Sequence, residues 1–203
     1  MVAVCLGPGG AVLRGRKGTT RMDVRVFAGS VLDAPAQAIV NAANTELRHG
    51  GGVAAAISAA AGPEFARASA AVGFCPLGSA VATSAGRLPF RSVLHVPTID
   101  YRAGGRRATP EQVRDGVAAA FRLARELRCA SVALPLLGAG VVGLAPDEAC
   151  RRIAEGLTRA EAAGDAPRTV LVCAFTEPER RAAEAVFGAA ARTAGPGEEP
   201  PVR

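Results

Sequence analysis

The sequence predicts a three-layer α/β/α sandwich around a mixed, largely parallel sheet. Short apolar runs of strand length alternate with longer segments of helical period. Three of the apolar runs stop at Gly29, Asn41 and Gly138, residues that break strands and open loops. The chain has 203 residues, 49% of them hydrophobic, a one-domain length with enough apolar material for a full core.

The elements follow in order. Residues 1–21 lack periodicity and are rich in Gly, Arg and Thr, so they read as a disordered or dispensable extension. The folded unit is expected at 22–191, and 192–203, with Gly195, Pro196, Gly197, Pro200 and Pro201, as a disordered tail. Residues 24–28 alternate as a strand, and Ala38-Ile39-Val40 is a short buried one. An alanine-rich helix over 53–61 stops at Gly62-Pro63, and Pro63 then opens a second helix ending before Gly73. Residues 79–83 and 92–96 read as strands. Thr109-Pro110-Glu111-Gln112 opens a long helix with Thr109 as N-cap, Pro110 in the first turn and Gln112 closing a capping box. Residues 131–137 form an apolar strand. Pro146-Asp147-Glu148 starts another helix with acids in its first turn, residues 169–175 form the last strand, and 178–190 the last helix.

Composition narrows the function. No apolar run approaches the roughly 20 residues of a membrane-spanning helix, and the start lacks the order of a secretory signal, so a cytoplasmic protein is expected. No membrane partner is expected, and the chain is read as a monomer. The five cysteines are widely spaced with no C-x-x-C pair, and only two histidines are present. Neither a zinc site nor a disulfide framework is expected, and no cofactor is implied. The net charge is +6, almost all the cationic charge being arginine, which attracts polyanions. With one Tyr and no Trp, a base-stacking platform is poorly supported, so nucleic acid remains a weak candidate partner.

In parallel α/β sheets ligands sit beyond the carboxyl ends of the strands. Two segments there carry chemistry. Asn41-Ala42-Ala43-Asn44 is followed by His49-Gly50-Gly51-Gly52-Val53, where three glycines precede a helix. Their N–H groups, with the helix N-terminus, form a nest for an anion such as phosphate. Gly138-Ala139-Gly140-Val141-Val142-Gly143 is a second glycine loop between strand and helix. Together the loops suit both phosphates of a pyrophosphate. Neither fits the P-loop pattern, since no G-K-[ST] is present, and neither gives G-x-G-x-x-G in the register usual for a dinucleotide fingerprint. Taken singly, each is equally an ordinary tight turn.

In combination these residues resemble the macro domain family. The resemblance runs from Val24 to about Phe187, is sharpest over 38–54, and includes Ala61-Gly62-Pro63, His95-Val96 and Leu134-Pro135-Leu136-Leu137-Gly138-Ala139-Gly140. It implies ADP-ribose, free or carried by a macromolecule, as ligand. Asn41 and Ala42 would line the pocket floor, and Asn44 would hydrogen-bond the distal ribose. Gly50, Gly51, Gly52 and Val53 would form the first phosphate loop, Gly138 to Gly143 the second, and Phe175 would stack on adenine. Gly29, Ser30 and Val31 occupy a segment where the family has Gly-Asp-Ile, so the aspartate that meets the adenine amino group is replaced by Ser30.

The acid that often follows the glycines is Ala54, and Val142 stands where an aromatic often shields the ribose. His49, just before the glycines, instead resembles the viral and archaeal branch of the family, in which hydrolysis occurs without that acid. On that ground the resemblance implies a metal-independent mono-ADP-ribosyl hydrolase, with Asn44 and His49 as catalytic residues and O-acetyl-ADP-ribose as a further substrate. Ala54 and Val142 favour the alternative, a reader that binds ADP-ribose without turnover.

Overall fold

A computed structural model describes residues 5–6 and 22–187 of the chain. The strands are β1 (Cys5–Leu6), β2 (Asp23–Ala28), β3 (Ala38–Asn44), β4 (Ala80–Thr83), β5 (Ser92–Asp100), β6 (Arg106–Arg107), β7 (Ser131–Pro135) and β8 (Thr169–Ala174). They form one sheet in the order β1-β4-β5-β3-β7-β8-β2, with β6 paired to β5. Strands β5, β3, β7, β8 and β2 run parallel to one another, while β1, β4 and β6 pair antiparallel. The helices are α1 (Gly52–Ala61), α2 (Pro63–Val72), α3 (Pro110–Glu126), α4 (Pro146–Ala163) and α5 (Glu177–Phe187). The sheet is therefore mixed and largely parallel with helices on both faces, as the alternating pattern predicts.

Strand alternation decides which helix each side chain meets. Ile39, Val93, Ala133 and Leu171 form one buried cluster with Ile57, Ala61 and Phe65 of α1 and α2. Their neighbours Val40, Leu94, Val132 and Val172 belong to the opposite core, with Val117 and Phe121 of α3 and Ile153 and Leu157 of α4. Helix α3 carries the predicted capping box: Thr109 Oγ1 accepts from the Gln112 N–H at 3.2 Å and Gln112 Oε1 from the Thr109 N–H at 3.0 Å. Helices α3 and α4 meet at Gly156, where a Cβ would lie 2.8 Å from the Arg114 carbonyl oxygen and 2.7 Å from Val117.

Several boundaries differ from the sequence reading. Strand β3 runs on from Val40 to Asn44, and β5 reaches Asp100 despite Pro97. A register shift accommodates the extension: Ala43 lies opposite Pro97 and Asn44 opposite Ile99. Strand β7 stops at Pro135, short of Leu137. Helix α5 begins one residue before Pro178, because the Glu179 carboxylate accepts from the Thr176 N–H at 2.9 Å and sets the start of the helix. Cys5–Leu6 adds an edge strand against β4, with Cys5 opposite Val81, which the aperiodic extension did not announce. The remainder of residues 1–21, and the predicted tail 192–203, lie outside the described residues. No described helix is long and apolar enough to cross a membrane.

Candidate functional site

A cleft of about 460 Å³ opens at the carboxyl ends of the parallel strands. A shallower depression of about 510 Å³ lies on the helical face, lined by Arg114, Arg151 and Arg159. Those three guanidiniums are committed to ion pairs with Asp115, Asp147 and Glu148. The strand-end cleft is the candidate site because backbone N–H groups and glycines converge there.

Its first wall is the loop that joins β3 to α1. Thr45 Oγ1 donates to Asp100 Oδ1 at 2.9 Å and ties the end of β3 to β5. Asn44 closes the next turn on itself. Its Oδ1 accepts from the Arg48 N–H at 2.9 Å, and its Nδ2 donates to the Arg48 carbonyl. Gly51 then caps α1 with no side-chain hydrogen bond, so the first N–H groups of the helix are left for a ligand or water. A Cβ built on Gly50, Gly51 or Gly52 meets nothing within 4 Å, as expected where backbone borders open space. Gly52 adopts φ 54°, a conformation that favours glycine, whereas Gly51 at φ −162° is extended backbone open to any residue.

The second wall follows β7. The loop folds back through the Leu144 N–H to the Gly138 carbonyl and the Gly143 N–H to the Gly140 carbonyl, each at 3.0 Å. Gly138 turns with φ 95°, and a Cβ there would press on Leu144 at 2.8 Å. Arg107 reaches over from β6, Nη1 lying 3.5 Å from the Val142 carbonyl.

Of the predicted residues, Gly29, Ser30, Val31, Ala42, Gly51, Gly52, Val53, Gly138, Gly140, Val141 and Phe175 line this cleft together. Gly50, Ala139, Val142 and Gly143 support the loops without lining it, and Asn41 is fully buried behind its floor. Thr98, Cys173 and Glu179 line it and were missed by sequence reasoning. Thr98 lies in the part of β5 beyond Pro97, where a proline hid the strand. Glu179 was legible in principle, since Thr176-x-x-Glu179 is a capping-box pattern at a helix start.

His49 is placed differently from the sequence expectation. Its ring faces the α1–α2 side of the sheet, with centroids 4.9 Å from Phe65 and 5.3 Å from His95, and it does not line the cleft. Asn41 and His95 are paired in register across β3 and β5, and both point to this side. Asn41 Nδ2 lies 3.1 Å from His95 Nδ1 and 3.4 Å from His49 Nδ1. At the far side of each ring, His95 Nε2 lies 2.8 Å from Thr83 Oγ1 and His49 Nε2 lies 3.0 Å from Ser69 Oγ. An amide nitrogen has two protons to give, so both Nδ1 atoms accept and both Nε2–H groups donate. Thr83 passes its own hydroxyl proton to the Ser84 carbonyl at 3.1 Å, which agrees with that assignment.

Burial reinforces the neutral rings. Complete burial, with a smaller contribution from His49, pushes His95 down to about 3, and burial alone lowers His49. At the cleft floor, burial and then the Asp33 charge push the Cys173 thiol up to about 12. Among the described residues no group of three or more His, Cys, Asp or Glu side chains is placed to hold a metal ion.

The end of the cleft at β2 and β8 is built from an exposed ring and a carboxylate. Phe175 is 78% exposed immediately after β8. Glu179 Oε2 accepts from the Phe175 N–H at 2.8 Å as well as from Thr176. Ser30 Oγ accepts from the Leu32 N–H at 3.2 Å.

A family model of the macro domain matches residues 40–153. An uncharacterized protein of Mycobacterium tuberculosis is 40% identical over 165 residues, covering 81% of this chain and 45% of the relative. The chain thus spans less than half the length of that relative. A Citrobacter rodentium protein named O-acetyl-ADP-ribose deacetylase is 38% identical over 144 residues, covering 67% of this chain and 81% of the relative. Among solved structures, the Trypanosoma brucei macrodomain in complex with ADP-ribose superposes with a TM-score of 0.70 at 29% identity, over 82% of this chain and 69% of that one. Together with the glycine loops at the strand ends, these matches show that the chain belongs to the macro domain family.

Proposed function

We propose that this protein binds ADP-ribose in the strand-end cleft and hydrolyses mono-ADP-ribosyl groups from modified protein or nucleic acid. O-acetyl-ADP-ribose is a second substrate in this reading. The observation that carries it is the convergence of two glycine loops and the uncapped start of α1 on one cleft, whose other end is walled by the exposed Phe175. A pyrophosphate suits the loops, and a flat base suits the ring. The relatives named as O-acetyl-ADP-ribose deacetylases support the hydrolytic part.

The chemistry in this reading is mostly electrostatic. Thr98 Oγ1 donates to the Ala43 carbonyl at 3.3 Å, and the raised Cys173 thiol stays protonated near neutral pH. Neither takes a proton from water. A water held against the phosphates attacks the anomeric carbon, the bond to the modified group breaks, and the water proton leaves with that group. Loop N–H groups fixed in advance stabilise the developing charge. Asn44 and His49 contribute by holding the first loop, through the Arg48 turn and the Phe65–His95 stack.

Among the described residues no acid or base lines the phosphate end of the cleft, and this favours a second reading, a module that binds ADP-ribose without turnover. Incubation with proteins modified on acidic residues and with modified oligonucleotides, followed by detection of free ADP-ribose, separates the two. Release well above buffer supports the hydrolase. Tight binding without release supports the reader.

A further inference from the structure

The end of the cleft beside Phe175 is lined by a carboxylate, Glu179, whose sequence pattern marks a helix start and not a ligand contact. Four side chains with polar or ionisable atoms line the cleft: Ser30, Thr98, Cys173 and Glu179. Ser30 Oγ accepts from the Leu32 N–H and remains a neutral hydroxyl, and Thr98 Oγ1 is turned to the Ala43 carbonyl. Glu179 is different. Both of its backbone donors, Phe175 and Thr176, bind one oxygen, Oε2. Its other oxygen, Oε1, accepts no hydrogen bond from the described residues. Glu179 and Ser30 lie at the same end, because Ala28 pairs with Ala174 and the Gly29 N–H donates to the Ala174 carbonyl at 2.9 Å.

We propose that Glu179 is the residue that selects the base: its free oxygen accepts from the exocyclic amino group of an adenine stacked on Phe175. The proposal rests on the reading of the cleft as an ADP-ribose site. A carboxylate is acceptor-only, so it distinguishes an amino group from a keto group at the same position of the purine. Two backbone N–H bonds hold Glu179 in one rotamer, so the free oxygen is aimed in advance. Ser30, in the segment where a carboxylate is missing, offers only a neutral hydroxyl that already accepts from the Leu32 N–H and can also donate, so it discriminates amino from keto poorly. The acid comes instead from the first turn of α5, across the strand pair.

The test is a comparison of ADP-ribose with its 6-oxo analogue, in which hypoxanthine replaces adenine, by calorimetry. Wild type is expected to favour ADP-ribose by about tenfold or more, the effect of a hydrogen bond to a charged group. Glu179→Gln gives the sharper result. The Phe175 and Thr176 N–H groups require an oxygen, so the glutamine NH2 is forced into the free position and meets the base as a donor. The preference should then invert in favour of the 6-oxo analogue, while the helix start and melting temperature are kept. Ser30→Ala should leave the preference unchanged. Equal affinity of wild type for the two ligands, or an unchanged preference in Glu179→Gln, overturns the assignment, and so does loss of preference in Ser30→Ala alone. Failure of wild type to bind either ligand sinks the cleft reading itself, a separate result.

Discussion

Asn41 and His95 face each other across β3 and β5, with the amide nitrogen 3.1 Å from Nδ1 of the ring, and His49 shares the same amide at 3.4 Å. One carboxamide therefore holds two neutral imidazoles. Among the described residues Asn41 Oδ1 has no hydrogen-bond partner. Protonating either ring would set its new N–H against the amide NH2.

This pair makes stability depend on pH. His95 is held at about 3 in the folded protein against an ordinary value of 6.5. Below pH 6.5 the unfolded chain takes up a proton that the folded chain refuses. Stability is therefore fully present above 6.5 and falls as the pH drops toward 3, by about 1.4 kcal/mol per pH unit for His95. His49, also lowered, adds to the slope. Urea unfolding midpoints between pH 7.5 and 4.5 should fall more steeply for wild type than for His95→Gln. Parallel slopes would count against the network.

His49→Ala should act on structure before chemistry. The substitution removes a ring between Phe65 and His95 and one bond each to Ser69 and Asn41. A loss of about 2–4 kcal/mol is expected, from truncation in a packed site and broken hydrogen bonds. ADP-ribose affinity should weaken because the adjacent glycines lose their anchor. If the hydrolase reading holds, kcat should change less than KM. A kcat loss of a thousandfold with unchanged stability would return His49 to the chemistry.

Asn44→Ala should loosen the first loop, because both ends of the amide bind the Arg48 backbone. A reacting sugar misplaced by about an ångström costs on the order of a hundredfold in rate. Turnover should therefore fall far more in Asn44→Ala than in Ser30→Ala. Steady-state kinetics of both variants on one modified protein checks this, and an unchanged kcat in Asn44→Ala contradicts it.

Gly51→Glu should abolish ADP-ribose binding and leave the fold intact. Its backbone is extended, and the new Cβ meets nothing within 4 Å, so the side chain enters the cleft with a negative charge. The melting temperature should stay within about 2 °C of wild type. Normal binding by calorimetry would show that the first loop does not hold the ligand.

Gly156→Ala should destabilise without touching the cleft. The added methyl lies 2.8 Å from the Arg114 carbonyl, a backbone atom that cannot swing away. Prising α3 from α4 is expected to cost about 1–3 kcal/mol. A melting curve identical to wild type would mean that the helices separate freely.

The sequence by itself determined the layer order, the capping box at Thr109 and the two glycine loops. These rest on local rules: strand period, helix-start chemistry and the conformations that glycine permits. The cleft-lining role of Gly51, Gly138 and Phe175 was legible for the same reason, since Gly138 follows the predicted strand 131–137, Gly51 stands just before the predicted helix 53–61, and Phe175 ends the predicted strand 169–175. Tertiary structure alone decided the rest. Whether His49 faces the cleft or the core depends on Phe65 and His95, far away in the chain, and on which side of β3 Asn41 emerges once the strand runs past Val40. Glu179 as a helix-start group is a local pattern, but its place in the cleft with Gly29 and Ser30 depends on β2 pairing with β8. Side-chain direction at a site is set by packing between elements distant in sequence, and no local pattern encodes it.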